Sequence, residues 1–133
     1  NTVERAVARA YDAAGVGSVR SLDVIELHDA AAPAELIVYE ELGLCAKGEG
    51  PALLAKGDTA LGGSRPVNTS GGLLSKGHPI GATGLAQIAE VVWQLQGRAD
   101  QRQVEGARVA LCENAGGFLG TEPAATCIHI FGV

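Results

Sequence analysis

The chain has no methionine and few aromatic side chains, 4% of its residues, so aliphatic residues and alanine must build its core. Lacking a methionine and starting at Asn1, it shows no translation start. It reads as a processed product, a separately cloned domain or a fragment. Basic clusters are absent too. With a net charge of −5 and no Lys/Arg footprint, the chain does not read as a nucleic-acid binder. The loose group Arg98, Arg102 and Arg108 reads as solvated surface. No apolar run approaches the roughly 20 residues of a membrane span, and no signal peptide is visible. The three cysteines, Cys45, Cys112 and Cys127, are odd in number and lack ligand spacing. That makes a poor disulfide framework and no metal-ligand pattern, and suggests reduced thiols in the cytoplasm. Cys45 and Cys127 read as packing residues.

What is present fits an α/β unit. A length of 133 residues suits one domain, residues 1–133, large enough to bury a core unaided. The hydrophobic share is 47%, and no internal repeat interrupts it. Thr2 as N-cap, with Val3, Ala6, Val7, Ala10 and Ala14 at helical spacing, predicts a helix ending at Gly15. Leu22 to Leu27 is nearly all apolar, as in a strand buried on both faces. It delivers His28 and Asp29 at its carboxyl end, where open α/β sheets place their chemistry. Pro33 opens a second helix, Ala34 to Leu42, whose Glu35 and Glu40 read as facing solvent. The glycine-rich stretch 45–65 is expected to be loop, with at most one helical turn near Ala52 to Ala55. A short strand at Pro66 to Asn68 follows. A long helix, Ile80 to Gln96, carries Ile80, Leu85, Ile88, Ala89, Val92 and Leu95 on one stripe. Ala107–Cys112 and Ala125–Phe131 read as an antiparallel hairpin.

The stretch Asn68 to Gly84 is the most informative. Gly71, Gly72, Gly77, Gly81 and Gly84 crowd around one imidazole, His78. Glycine permits close backbone approach and positive φ at an entropic cost, so shape outweighs stiffness here. Pro79 is expected in the first turn of the long helix, where no amide donor is needed. His78 would then sit at a helix N-terminus, where negative charge is favoured. That suits a catalytic base or oxyanion donor. A glycine-rich turn with an incidental histidine would look the same from local chemistry.

Three ordered blocks extend the reading. They are Gly77-His78-Pro79-Ile80-Gly81-Ala82-Thr83-Gly84 preceded by Val67-Asn68-Thr69-Ser70-Gly71-Gly72, then Asp23 to Ala30 with His28-Asp29, and Ala110-Leu-Cys112-Glu113-Asn114-Ala-Gly116-Gly117. Together they resemble the carboxy-terminal half of thiolases, from about Glu4 to Ile130. The His-Asp block is similar to that of the sterol-carrier-protein type, where biosynthetic and degradative thiolases usually carry Asn-Glu. The resemblance implies a mixed sheet packed with helices, and an acyltransferase that cleaves or condenses 3-ketoacyl-CoA through an acyl-cysteine. Coenzyme A would be a substrate, with no bound cofactor and no metal. In such enzymes the second half opens with a strand. None precedes Thr2 here, so the sheet is expected to have a gap or an open edge.

By the same resemblance, His78 activates the nucleophile and contacts the thioester oxygen, and His28 contributes to the oxyanion hole. Cys112 is the candidate acid/base at the α-carbon. Asn68, Gly71, Gly72, Gly81, Asn114 and Gly116 bind substrate or support the loops. His28, His78 and Cys112 are expected to converge at one edge of the sheet. The nucleophilic cysteine belongs to the amino-terminal half, on the same or a separate chain, and a homo-oligomer is implied. Two departures stand out. Ala30 occupies the place where sterol-carrier-type enzymes often have a cysteine, and Glu113 stands where they tend to have histidine. Two other readings stay open: a retro-aldolase (lyase) subunit of steroid side-chain degradation, and a non-catalytic acyl-CoA-binding or scaffold domain. The lyases of this kind tend to lose the Gly-His-Pro histidine, which this chain retains.

Overall fold

The computed structural model describes all residues, 1–133. Its elements run α1 (Thr2–Ala14), β1 (Val24–Glu26), α2 (Ala32–Leu42), α3 (Gly50–Ala55), α4 (Gly72–Lys76), α5 (Thr83–Leu95), β2 (Val109–Gly116) and β3 (Ala125–Gly132). The three strands form one mixed sheet in the order β1-β2-β3. β1 runs parallel to β2, with Glu26 opposite Cys112; β2 runs antiparallel to β3, with Cys112 opposite His129.

Local chemistry explains most boundaries. The N-cap of α1 is Asn1, one residue before the expected Thr2. Its side chain accepts from the Glu4 amide at 2.9 Å while the Glu4 carboxylate returns to the amino terminus at 3.0 Å, a reciprocal capping box. Gly15 closes the helix in the left-handed region at φ 65°, as Gly43 closes α2, where glycine carries no Cβ penalty. β1 is shorter than the apolar run 22–27, but all three of its residues are buried. The expected strand at 66–68 is a single parallel bridge, Val67 to Ile25. No strand precedes α1. The sheet nevertheless has no gap, because β1 bonds β2 directly; β3 is its open edge. No helix is long and apolar enough to cross a membrane.

The sheet separates two apolar clusters. On one face Val3, Val7, Val38, Tyr39 and Leu42 of α1 and α2 pack on Ile25, Leu27 and Leu111. On the other, Val24, Ala110 and Cys112 meet Val91 of α5. Aliphatic side chains do dominate, as the low aromatic content requires.

The expected apolar stripe on the long helix holds only in part: Ile88 and Leu95 pack against the cluster, and Ile80 and Leu85 do not. The helix starts at Thr83, and Ile80 and Leu85 are 86% and 70% exposed. Its buried face is Thr83, Gln87, Glu90, Val91 and Gln94. Those polar groups survive burial because they are bonded. Gln94 reaches the Arg102 carbonyl at 2.7 Å and accepts from the Val104 amide at 2.8 Å. Glu90 accepts from Thr69 and Arg102, so Arg102 is an ion-pair partner rather than free surface. Glu35 and Glu40 are half-buried: Glu35 accepts from the Tyr39 hydroxyl at 2.6 Å and Glu40 from the Gly50 amide at 3.2 Å. Cys127 is exposed, not packed.

Candidate active site

Three consecutive residues beyond β1 are each tied to a different segment. The Leu27 amide donates to Asn68 Oδ1 at 2.8 Å. The His28 amide donates to Glu113 Oε2 on β2 at 2.9 Å. The buried Asp29 carboxylate accepts from the amides of Leu73 at 2.7 Å and Leu74 at 3.3 Å, at the start of α4. Asn68 does fix the loop by a side-chain-to-backbone bond, and it holds the loop to the first strand. Its own backbone is left-handed, φ 52°.

The glycine loop closes over this clamp. A Cβ on Gly72 would stand 2.1 Å from Asp29 Oδ2, and one on Gly71 would stand 2.8 Å from Ser75 Cβ. Both have positive φ, so only glycine fits either place. Gly81 and Gly116 have open space around them and no positive φ; sterics do not demand glycine there. Glu26, fully buried, accepts from the Ser70 amide at 3.0 Å and pairs with Lys76 at 3.5 Å. The loop is thus pinned on both sides of Gly71.

His78 follows α4 rather than opening α5. Pro79 lies ahead of the helix, and its carbonyl accepts from the Ala82 and Thr83 amides. His78 Nδ1 lies 2.7 Å from the Thr83 hydroxyl, which itself donates to the Pro79 carbonyl at 3.2 Å. With that proton committed, neutral His78 is the donor at Nδ1 and carries its lone pair on Nε2. The tautomer follows from the partner of the other nitrogen.

The His28 and His78 rings meet edge to face, centroids 4.9 Å apart and planes at 86°. Burial, then the neighbouring His78, holds His28 below the usual histidine value, partly offset by Asp29. These surroundings favour the neutral imidazole of His28. Its Nδ1 is buried without a partner.

Cys112 does not join the pair. It is mid-strand, since β2 continues to Gly116. It lies in the apolar cluster with Val24, Val91, Ala107 and Ala110. Its register partner is Glu26, two residues short of His28, or roughly 7 Å deeper at the strand rise. Burial first, then Glu26, pushes its thiol up to about 12 against a small opposing effect of Lys76, so it is protonated at neutral pH. The next residue on that face is Asn114, whose Nδ2 donates to Gln87 Oε1 at 2.9 Å. Gln87 in turn donates to the Glu113 carbonyl at 2.9 Å.

The fold adds Thr83 to the site and gives Glu113 a bonded place in it. Thr83 carries no signal beyond standing at the start of a helix near His78. Glu113 stands out in the sequence as a departure from the family pattern, but its bond to the His28 amide is visible only in the fold. No three His, Cys, Asp or Glu side chains are grouped to hold a metal ion. A surface groove of about 430 Å³ lies between α1 and β3; His129 lines it, and His28 and His78 do not.

Residues 1–131 match the family model described as thiolase C-terminal domain-like. The chain is 54% identical over 113 residues to sterol carrier protein 2 of Rattus norvegicus, covering 85% of this chain and 20% of that protein. It is 48% identical over 110 residues to an acetyl-CoA acetyltransferase of Methanothermobacter thermautotrophicus, covering 83% and 28%. Among solved structures, the Ltp2-ChsH2(DUF35) aldolase superposes with a TM-score of 0.80 at 27% identity, over 98% of this chain and 31% of that one. The chain thus spans less than a third of the proteins it matches.

Proposed function

The chain belongs to the family of thiolase carboxy-terminal domains, and from that premise we propose that it is the carboxy-terminal catalytic half of a thiolase-like acyltransferase acting on 3-ketoacyl-CoA. The observation that carries this reading is the edge contact of His28 and His78, held by a clamp whose positions 71 and 72 only glycine fits. An amino-terminal half supplies the nucleophilic cysteine. The exposed Leu74, Ile80 and Leu85 around His78 form an apolar surface of the kind such a half would cover.

The chemistry follows from the two imidazoles. His78, donating through Nδ1 to Thr83, offers Nε2 to take the proton of the incoming thiol. The thiolate attacks the 3-keto carbon. Neutral His28 donates an N–H to the oxygen on which charge develops, a stabilisation strongest where water is excluded. The C2–C3 bond then breaks, and the departing α-carbon takes a proton. Cys112 is assigned that proton by its place in the family's last catalytic loop; its thiol, held up to about 12, keeps the proton at neutral pH. Coenzyme A accepts the acyl group in a second step, and condensation is the reverse. Three free thiols support a reducing, cytoplasmic setting.

A second reading, a carbon–carbon lyase subunit, draws support from the likeness to the aldolase structure. The retained His78 favours the acyltransferase, and only the acyltransferase consumes free coenzyme A. The test assays the full-length protein with acetoacetyl-CoA, with and without coenzyme A, alongside this chain alone. Turnover by the full-length protein only, dependent on coenzyme A and lowered about 10²-fold or more in His78→Ala, is expected. Turnover by this chain alone, or a full-length His78→Ala at the wild-type rate, refutes the reading.

A further inference from the structure

Glu113 is a fully buried carboxyl that the chemistry above does not use. It projects on the face of β2 that also carries Leu111, part of the apolar cluster with Ile25 and Leu27. A lone carboxyl in such surroundings costs stability unless its partners compensate. Yet Oε2 has one partner, the His28 amide at 2.9 Å, and Oε1 has none. An apolar residue of similar size would serve the core better.

What the carboxyl does is local. His28 lies beyond the end of the β1 ladder, and its amide has Glu113 as partner. The main-chain carbonyl of the same residue accepts from Gln87 of α5 at 2.9 Å. Gln87 is one helical turn beyond Thr83, the residue that holds His78 Nδ1. One residue of β2 therefore stands between both imidazoles. Its side chain fixes the backbone of the first, and its carbonyl fixes the helix that orients the second.

We propose that Glu113 is a positioning residue that sets the His28–His78 geometry through its carboxyl on the His28 amide. This rests on the assignment of His28 above. The test uses the full-length protein with Glu113→Leu, Glu113→Gln, His28→Ala and the double variant His28→Ala/Glu113→Leu. Leucine removes the acceptor and fills the apolar site; glutamine keeps an acceptor oxygen. Small misplacements of reacting groups are expensive, so Glu113→Leu should lower kcat about tenfold or more, and Glu113→Gln should recover to within about threefold of wild type. KM should move little, and the melting temperature of Glu113→Leu should be unchanged or raised. In the double variant, removing the carboxyl should slow His28→Ala no further.

A wild-type kcat in Glu113→Leu, beside a slow His28→Ala, overturns this proposal alone. So does a Glu113→Gln as slow as the leucine variant, or a rate loss that tracks lost stability. A wild-type rate in His28→Ala overturns the assignment of His28 and this proposal with it.

Discussion

The carboxylate of Asp29 occupies the space that any side chain at position 72 would need: a Cβ on Gly72 would stand 2.1 Å from Asp29 Oδ2. The same carboxylate accepts from the Leu73 and Leu74 amides. The segment that presents His28 and the loop that leads to His78 are thus held together at one point. Gly72 also has φ 63°, so position 72 is constrained by both contact and conformation.

Gly72→Ala should therefore break the clamp, since the neighbour in its way is a bonded carboxylate. We expect a loss of about 1–3 kcal/mol, the scale of a strained backbone position, and a fall in turnover larger than that stability loss explains. Gly81→Ala, with open space and no positive φ, should be nearly silent in the same denaturant titration. Equal effects at the two glycines would contradict the clamp.

Thr83→Val removes the hydroxyl that receives His78 Nδ1 and keeps the side-chain volume. The ring then loses its orientation and its tautomer preference. Turnover should fall about tenfold or more, and Thr83→Ser should restore most of it. A valine variant at the wild-type rate shows that the Thr83 contact does not orient His78.

Cys112→Ala tests the α-carbon proton directly. A general acid is worth about 10²-fold or more, so the assignment requires a loss of that size in the full-length protein without loss of fold. Cys112 sits in a packed apolar cluster, where alanine costs little volume. Turnover unchanged in Cys112→Ala assigns the proton elsewhere, and the neighbouring Asn114 face becomes the place to look.

Glu113 gives stability a pH dependence. Burial raises its carboxyl from the ordinary 4.5 to about 7, eased by the His28 amide and worsened by Glu41 of α2. Below 4.5 both folded and unfolded chains hold the proton, and the contribution is full. Between 4.5 and about 7 the unfolded chain releases it first, so stability falls as pH rises through that window. The loss is on the order of 3–4 kcal/mol, at about 1.4 kcal/mol per pH unit. Urea midpoints of wild type should decline across that range and those of Glu113→Gln should be flatter. Parallel profiles would mean that the carboxyl titrates normally.

The sequence by itself determined where the two candidate histidines stand along the chain. His28-Asp29 after an apolar run and His78 inside the glycine stretch follow from period, breakers and motif, all local properties. Even the antiparallel hairpin was legible from two apolar runs flanking glycines. Tertiary structure decided the rest, because the deciding terms are long-range. The face that α5 buries is largely polar around Val91, since Gln87, Glu90 and Gln94 find partners on β2, the Asn68–Ser70 loop and the 102–104 turn. Hydrophobic spacing within the helix cannot report those partners. The length of β2 beyond Cys112 depends on pairing with β3, which leaves the thiol mid-strand and beneath the histidines. Asp29 against Gly72, and Glu113 against the His28 amide, join segments far apart in sequence. Only folding brings a carboxylate to the one glycine that leaves it room.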